Sequence, residues 1–321
     1  MTTRRWVLTG GVGFIGFHVS RALLGRGDHV AIVDDFSNAP YPTAYKRRNA
    51  ADLEREFGPA VRVTTACVTD RAAIEPLFDG ADGVIHLAGL AGVRPSLLDP
   101  ARYQRVNVEG TAHVLEIARA RRILTFVMAS SSSVYGNSTP LPAREDEPAV
   151  VPESPYAASK RAAELVAGSI ARHDPSMRVV ALRFFTVYGA RQRPEMAITL
   201  FARNILAGTP ITVFGDGSMR RDFTHVDDIV RGVLAAADGA KPGTRAYNLG
   251  SGAPVTLGEL VTSLGKAAGA VPKIERGPVP PGDVEATFAD ISRARDELGW
   301  SPRVPLEQGL ATVIAWVRAN P

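Results

Sequence analysis

Residues 6–16 read WVLTGGVGFIG: an apolar run, then Gly10, Gly13 and Gly16 at intervals of three, with the amphipathic stretch GFHVSRALLGRG directly behind. No other feature constrains the fold as much. The apolar run predicts a buried strand and the following stretch predicts a helix. Glycines between them permit a tight turn and let an anion approach the backbone at the positive end of that helix. The spacing is G-x-x-G-x-x-G, not the commoner G-x-G-x-x-G of dinucleotide sites, and a glycine trio alone marks only a turn.

The same unit recurs. HVAIVDD, VRVTTA, GVIHLAG, LTFVMAS and RVVALRFF alternate with helical stretches such as VEGTAHVLEIARARR and PYAASKRAAELVAGSIARH. Repeated strand–helix alternation predicts an α/β fold with a Rossmann-type, doubly wound parallel sheet and right-handed crossovers. Beyond residue 185 the pattern loosens and Pro and Gly become frequent, as in AGTPITVFGDGS and KIERGPVPPGD. With 321 residues the chain is long for a single core. Two domains are therefore expected: 1–185 for a dinucleotide, and a smaller α/β domain, 186–321, for a substrate, with a segment near 224–250 returning to the first.

Several classes are disfavoured. The net charge of +4 is spread over mixed-sign helices, with no Lys/Arg stripe of the kind nucleic acid requires. No run approaches the roughly 20 apolar residues of a membrane span. The N-terminus enters a strand at once, leaving no room for a signal peptide. The single cysteine, Cys67, excludes an internal disulfide framework and suits a reducing compartment. The expectation is a soluble cytoplasmic protein without a metal site.

Asp34 closes the second apolar run, where a carboxylate would accept both adenosine-ribose hydroxyls and repel a 2′-phosphate, favouring NAD over NADP. The basic triplet 46–48 falls within a helical pattern and reads as a solvated face. Farther on, Ser154 and Pro155 form an N-cap and a preset first turn, followed by Tyr156 and Lys160 at i and i+4 on one helical face. Spacing alone fits an exposed tyrosine and an ordinary surface lysine. The location adds weight, because this helix follows a strand ending in the serine run ASSSSVYG, residues 129–136. An ammonium about 4 Å from the phenol, at an effective dielectric of about 20, is worth roughly 4 kcal/mol, or about three pKa units. That would bring the tyrosine towards neutrality, where it can act as a general base.

Taken together, TGGVGFIG, HLAG, SSSSVYG and YAASK resemble the extended short-chain dehydrogenase/reductase family of NAD-dependent nucleotide-sugar epimerases and dehydratases. Within it, AGVRPSL, RFFTVYGARQRPEMA, VFGDGSMRRDFTHVDDI and PGDVEATFADISRARDELGW are most similar to the UDP-glucuronate 4-epimerases. The resemblance implies a catalytic trio of Ser131, Tyr156 and Lys160, a UDP-sugar in the cleft, and a homodimer packed through paired helices. It implies bound NAD at Gly10, Gly13, Phe14, Ile15, Gly16, Asp34, Asn38, Val68, Leu87, Ala88 and Gly89, together with Tyr156 and Lys160. For the substrate it points to Arg94 for sugar or phosphate and to Ser132 and Ser133 as uncharged donors. Thr186 and Arg193 would hold a carboxylate, with Arg191 as the competing arginine. Val213 and Phe214 would pack on uracil, Arg221 would meet the diphosphate and Asp283 the ribose. Ser130 would be a strand-end residue satisfied by backbone.

The implied reaction is transient oxidation at C4, rotation of the 4-keto sugar and reduction from the other face. Two positions depart from the family pattern. Ala66-Cys67 stands where Gly-Asp usually offers adenine an acceptor, and Gly89 stands where alanine is usual, a change expected to matter little sterically. UDP-glucose/galactose 4-epimerase and UDP-glucuronate decarboxylase are the rival activities. Ser132 and Ser133 lack the acid that dehydratases and decarboxylases carry there. A catalytically silent NAD-binding protein is the rival of another kind, opposed by the intact Tyr156 and Lys160.

Overall fold

Strand β1 (Arg5–Thr9) buries every residue after its first, Val7 to one side and Trp6 and Leu8 to the other, as the two-residue period of a strand requires. A strand apolar on both faces needs helices on both sides. In the computed structural model, which describes residues 3–38, 42–278 and 285–320, it has them. Parallel to β1 run β2 (His29–Asp34), β3 (Val61–Thr65), β4 (Gly83–His86), β5 (Thr125–Ser131), β6 (Arg178–Phe184) and an edge strand, Gly243–Leu249. From that edge the order is Gly243–Leu249, β6, β5, β4, β1, β2, β3. The doubly wound parallel sheet expected from the alternation is borne out.

The order of strand addition reverses between β1 and β4, so the connections leaving their carboxyl ends run to opposite sides and open the crevice in which such sheets bind ligands. Helix α1 (Phe14–Gly25) covers one face with Leu23 and Leu24, beside Ile229 and Val233 of helix Val226–Gly239. The other face is closed by Leu115, Ile117, Ala163 and Ala167. A third apolar cluster, around Tyr188, Phe201, Leu260, Leu264, Leu310 and Ile314, supports the short strand Ile211–Phe214. Helix Val226–Gly239 packs on α1, and strand Gly243–Leu249 pairs with β6, so this segment belongs to the main sheet layer. No helix among the described residues is long and apolar enough to cross a membrane.

Candidate active site

The glycine turn is built by close approach. Gly10 has φ +71°, and a Cβ there would lie 2.7 Å from the Ala88 backbone nitrogen. A Cβ on Gly16 would stand 2.0 Å from the Gly10 carbonyl oxygen, so α1 can start this close to β1 only with glycine. No side chain caps Gly13, which leaves the orphan N–H groups of the first turn of α1 to whatever occupies the crevice. From here a cavity of about 1160 Å³ extends along the carboxyl edge of the sheet. Its size exceeds the roughly 300–1,000 Å³ of a single drug-sized site. Gly10, Gly13, Phe14, Ile15, Gly16, Asp34, Val68, Leu87, Ala88 and Gly89 line it, as do Arg94, Ser131, Ser132, Ser133, Tyr156, Lys160, Thr186, Arg193, Phe214 and Arg221.

At one end the buried Asp34 carboxylate accepts from the Phe36 backbone N–H and from Lys46 Nζ, each at 3.0 Å. Lys46 also lies 3.5 Å from Asp35. The reading of residues 46–48 as a solvated face is therefore corrected for Lys46 and holds for the exposed Arg47 and Arg48. Helix α2 (Thr43–Phe57) begins close enough to the end of β2 that its first turn carries Lys46 back into the cavity wall. On that face Arg47 and Arg48 lie over the rings of Phe36 and Trp316. Asn38 does not line the cavity. Its Oδ1 accepts from the Thr43 N–H at 2.8 Å and fixes the start of α2. Cys67 lines the wall, with its sulfur accepting from the Thr69 hydroxyl at 3.1 Å.

At the sheet's centre, the Ser154 hydroxyl accepts from the Ala157 N–H and Pro155 opens helix Pro155–Arg172, which aims Tyr156 and Lys160 into the cavity. Ser131 ends β5 facing them; its hydroxyl donates to Ser133 Oγ at 3.1 Å and accepts from the Ser133 N–H at 3.2 Å. Burial pushes the Tyr156 phenol above its usual 10, and the Ser131 hydroxyl and the Arg193 charge pull the other way. Lys160 is lowered by burial to about 8, opposed by the Glu164 carboxylate, and its Nζ donates to the Ala129 carbonyl at 3.0 Å. The expected fall of the Tyr156 phenol towards neutrality is corrected: burial outweighs the Ser131 hydroxyl and the Arg193 charge, while the Lys160 ammonium donates to a backbone oxygen.

Two further expectations change here. Ser130 is not satisfied by backbone: its hydroxyl donates to Glu164 Oε1 at 2.5 Å. A methyl on Gly89 would lie 3.0 Å from Asn107 Oδ1 and 3.1 Å from Lys160 Nζ, so alanine there would press on the lysine. Asn107 itself escaped the sequence reading. It sits on a π-helical turn, Arg105–Glu109, accepts from the Leu90 N–H at 2.7 Å and donates to Leu90 O and Ser159 Oγ. Irregular turns of this kind gather at functional sites but leave no periodic signature in sequence.

At the far end Thr212 and Phe214 line the cavity, whereas Val213 is buried with Ile211 in the third cluster. Strand alternation forbids Val213 and Phe214 from sharing a face, and that rule applied to ITVF would have selected Thr212. The Arg94 guanidinium lies 5.5 Å from the Phe214 ring centre, and Arg221 donates to the carbonyls of Arg220 and Glu285. Arg193 lies in the wall, 3.3 Å from Glu195. Arg191 is drawn away: it bonds Asn49 at 2.5 Å and Asp52 at 2.6 Å, and stacks 4.0 Å from the centre of the Phe17 ring. Asp283 lies outside the described residues.

A crevice at the switch point of a parallel sheet, opening onto a serine, a tyrosine and a lysine, defines a dinucleotide-dependent enzyme of the short-chain dehydrogenase/reductase type. The chain belongs to the NAD dependent epimerase/dehydratase family, whose pattern its residues 6–250 match. It is 41% identical over 329 residues to UDP-glucuronate 4-epimerase 5 of Arabidopsis thaliana, covering 97% of this chain and 74% of the relative. It is 37% identical over 320 residues to UDP-glucuronate 4-epimerase of Thermodesulfobacterium geofontis, covering 98% of this chain and 96% of the other. Its fold matches that of UDP-glucuronic acid 4-epimerase from Bacillus cereus in complex with UDP-glucuronic acid and NAD. That match has a TM-score of 0.89 at 32% identity and covers 98% and 99% of the two chains.

The residues present fit NAD: an uncapped helix end for the pyrophosphate, a buried carboxylate at the end of β2 for ribose hydroxyls, and a lysine ammonium at the reacting end.

Proposed function

We propose that this chain interconverts UDP-glucuronate and UDP-galacturonate by 4-epimerisation. The observation that carries the reading is the presence, in the lining of one cavity, of Ser131 and Tyr156 with Arg193, Thr186, Ser132 and Ser133. This set pairs a proton-transfer group with a cation and neutral donors suited to a sugar carboxylate, and Ser132 and Ser133 supply no acid for elimination or decarboxylation. The relatives named above share that substrate in their names.

Tyr156 takes the proton of the sugar O4, with the Ser131 hydroxyl bridging the two oxygens. NAD held in this cleft would supply the oxidation and re-reduction at C4. Arg193 and Lys160 lower the cost of the phenolate that forms in a buried site. Arg193 and Thr186 hold the carboxylate in the plane of the keto ring, where loss of CO₂ is stereoelectronically disfavoured. Gly10, Gly13, Gly16, Asp34 and Val68 hold the cofactor; Phe214, Thr212, Arg94 and Arg221 hold the UDP moiety.

A homodimer in the cytoplasm completes the proposal. Leu97 and Leu98, and Leu165 on the adjacent Pro155–Arg172 helix, expose apolar side chains that a second copy would cover. Light scattering on the purified protein tests the dimer.

The decisive experiment is incubation with UDP-glucuronate and product identification by NMR. UDP-galacturonate supports the reading. A UDP-pentose product, or turnover of UDP-glucose with none of UDP-glucuronate, overturns it.

A further inference from the structure

Behind the serine run lies an ionic cluster that the proton and hydride transfers do not themselves use. Glu164 is only 7% exposed, yet its carboxylate accepts from Ser130 Oγ at 2.5 Å, from Arg183 Nε and Nη2 at 2.9 Å each, and from Arg161 Nη1 at 3.0 Å. Arg183, on β6, is 2% exposed, and its remaining Nη1 donates to the Tyr135 hydroxyl, which donates to Asn248. A buried ion pair seldom adds net stability over apolar packing, so its presence calls for another reason. The reason is suggested by its neighbours in the chain. Ser130 immediately precedes Ser131, and Glu164 follows Lys160 by one helical turn.

Resting on the function proposed above, we infer that Glu164 is a positioning residue for proton transfer. Its carboxylate is the counter-charge of the Lys160 ammonium one turn away, and through Ser130 and Arg183 it seats the end of β5 that presents Ser131. Burial pushes the Glu164 carboxyl up, but Arg183, Ser130 and Arg161 overcome it and hold the group below the usual range, so it stays charged. Lys160 interacts with Glu164 on its own helix and with His86 from β4; Tyr156, Arg193 and its partner Glu195 line the same cavity, and Arg183 and Arg161 lie beyond Glu164. His86 is lowered by burial to about 3 and is neutral at working pH. Of these groups Glu164 is the carboxylate that acts on Lys160, Glu195 being taken up by Arg193.

The test is the pH profile of kcat/KM for UDP-glucuronate in the NAD-loaded enzyme. In Glu164→Gln the alkaline limb, where Lys160 loses its proton, is expected to move down by about one pH unit. Because this change strands the Arg183 charge, Glu164→Gln combined with Arg183→Met serves as the second variant and is expected to shift the limb the same way. Ser130→Ala, which leaves the ion pair in place, is expected to lower kcat with KM and the limb unmoved. Tyr156→Phe runs alongside as the control on the underlying reading. Should it retain activity, that reading fails. An inactive Tyr156→Phe with an unmoved alkaline limb in both Glu164 variants overturns the inference on Glu164 alone.

Discussion

Arg193→Ala is the substitution that most directly probes substrate choice. Truncating one partner of a desolvated charge pair costs about 2–5 kcal/mol. Here the low end applies, because Arg193 already has the half-exposed Glu195 carboxylate 3.3 Å away and trades one partner for another when substrate arrives. About 2 kcal/mol is roughly a 30-fold loss in kcat/KM for UDP-glucuronate. A second loss is shared by every substrate, since the Arg193 charge also pulls down the Tyr156 phenol. The ratio of kcat/KM for UDP-glucuronate to that for UDP-glucose cancels the shared part, and is expected to fall about 30-fold. A carboxylate released from its clamp can also turn perpendicular to the keto ring, so a UDP-4-keto-pentose should accumulate and be visible by mass spectrometry. An unchanged ratio with no decarboxylated product would refute the assignment of Arg193 to the carboxylate.

Tyr156→Phe removes the proposed base and is expected to cost about 100- to 10,000-fold in turnover. Isothermal calorimetry should find its NAD binding nearly intact. Cys67→Asp places a charged acceptor where the structure has only a thiol bonded to Thr69, and NAD is expected to bind up to about tenfold more tightly. Equal or weaker binding would mean that the adenine amine finds its acceptor elsewhere. Lys160 has its pKa lowered by burial to about 8, so the ammonium is present below that value and lost as pH rises through it. NAD affinity measured by calorimetry is therefore expected to be steady on the acid side and to decline above about 8, and a rise there would count against an ammonium contact.

The chain's own periodicities settled much of this protein. The run ahead of Gly10 could only be a buried strand, and alternation with helical stretches dictated parallel pairing, which puts the crevice at the switch between β1 and β4. The Gly10–Gly16 turn, the Ser154 cap and the shared face of Tyr156 and Lys160 are local, decided within a turn or two of helix, and so they are legible without a fold. What escaped reading depends on where distant elements come to rest. Ser130 meets Glu164 across 34 positions, and Arg183 reaches the same carboxylate from β6. Lys46 turns to Asp34 only because α2 folds back over the end of β2. Arg191 and Arg193 are two residues apart, and charge alone leaves Arg191 competing with Arg193 for the carboxylate. Tertiary packing drew one onto Phe17, Asn49 and Asp52 and left the other in the cavity wall. Short-range stereochemistry is written in neighbouring residues, whereas the partner of a buried charge is chosen by desolvation, which acts only once the elements have packed.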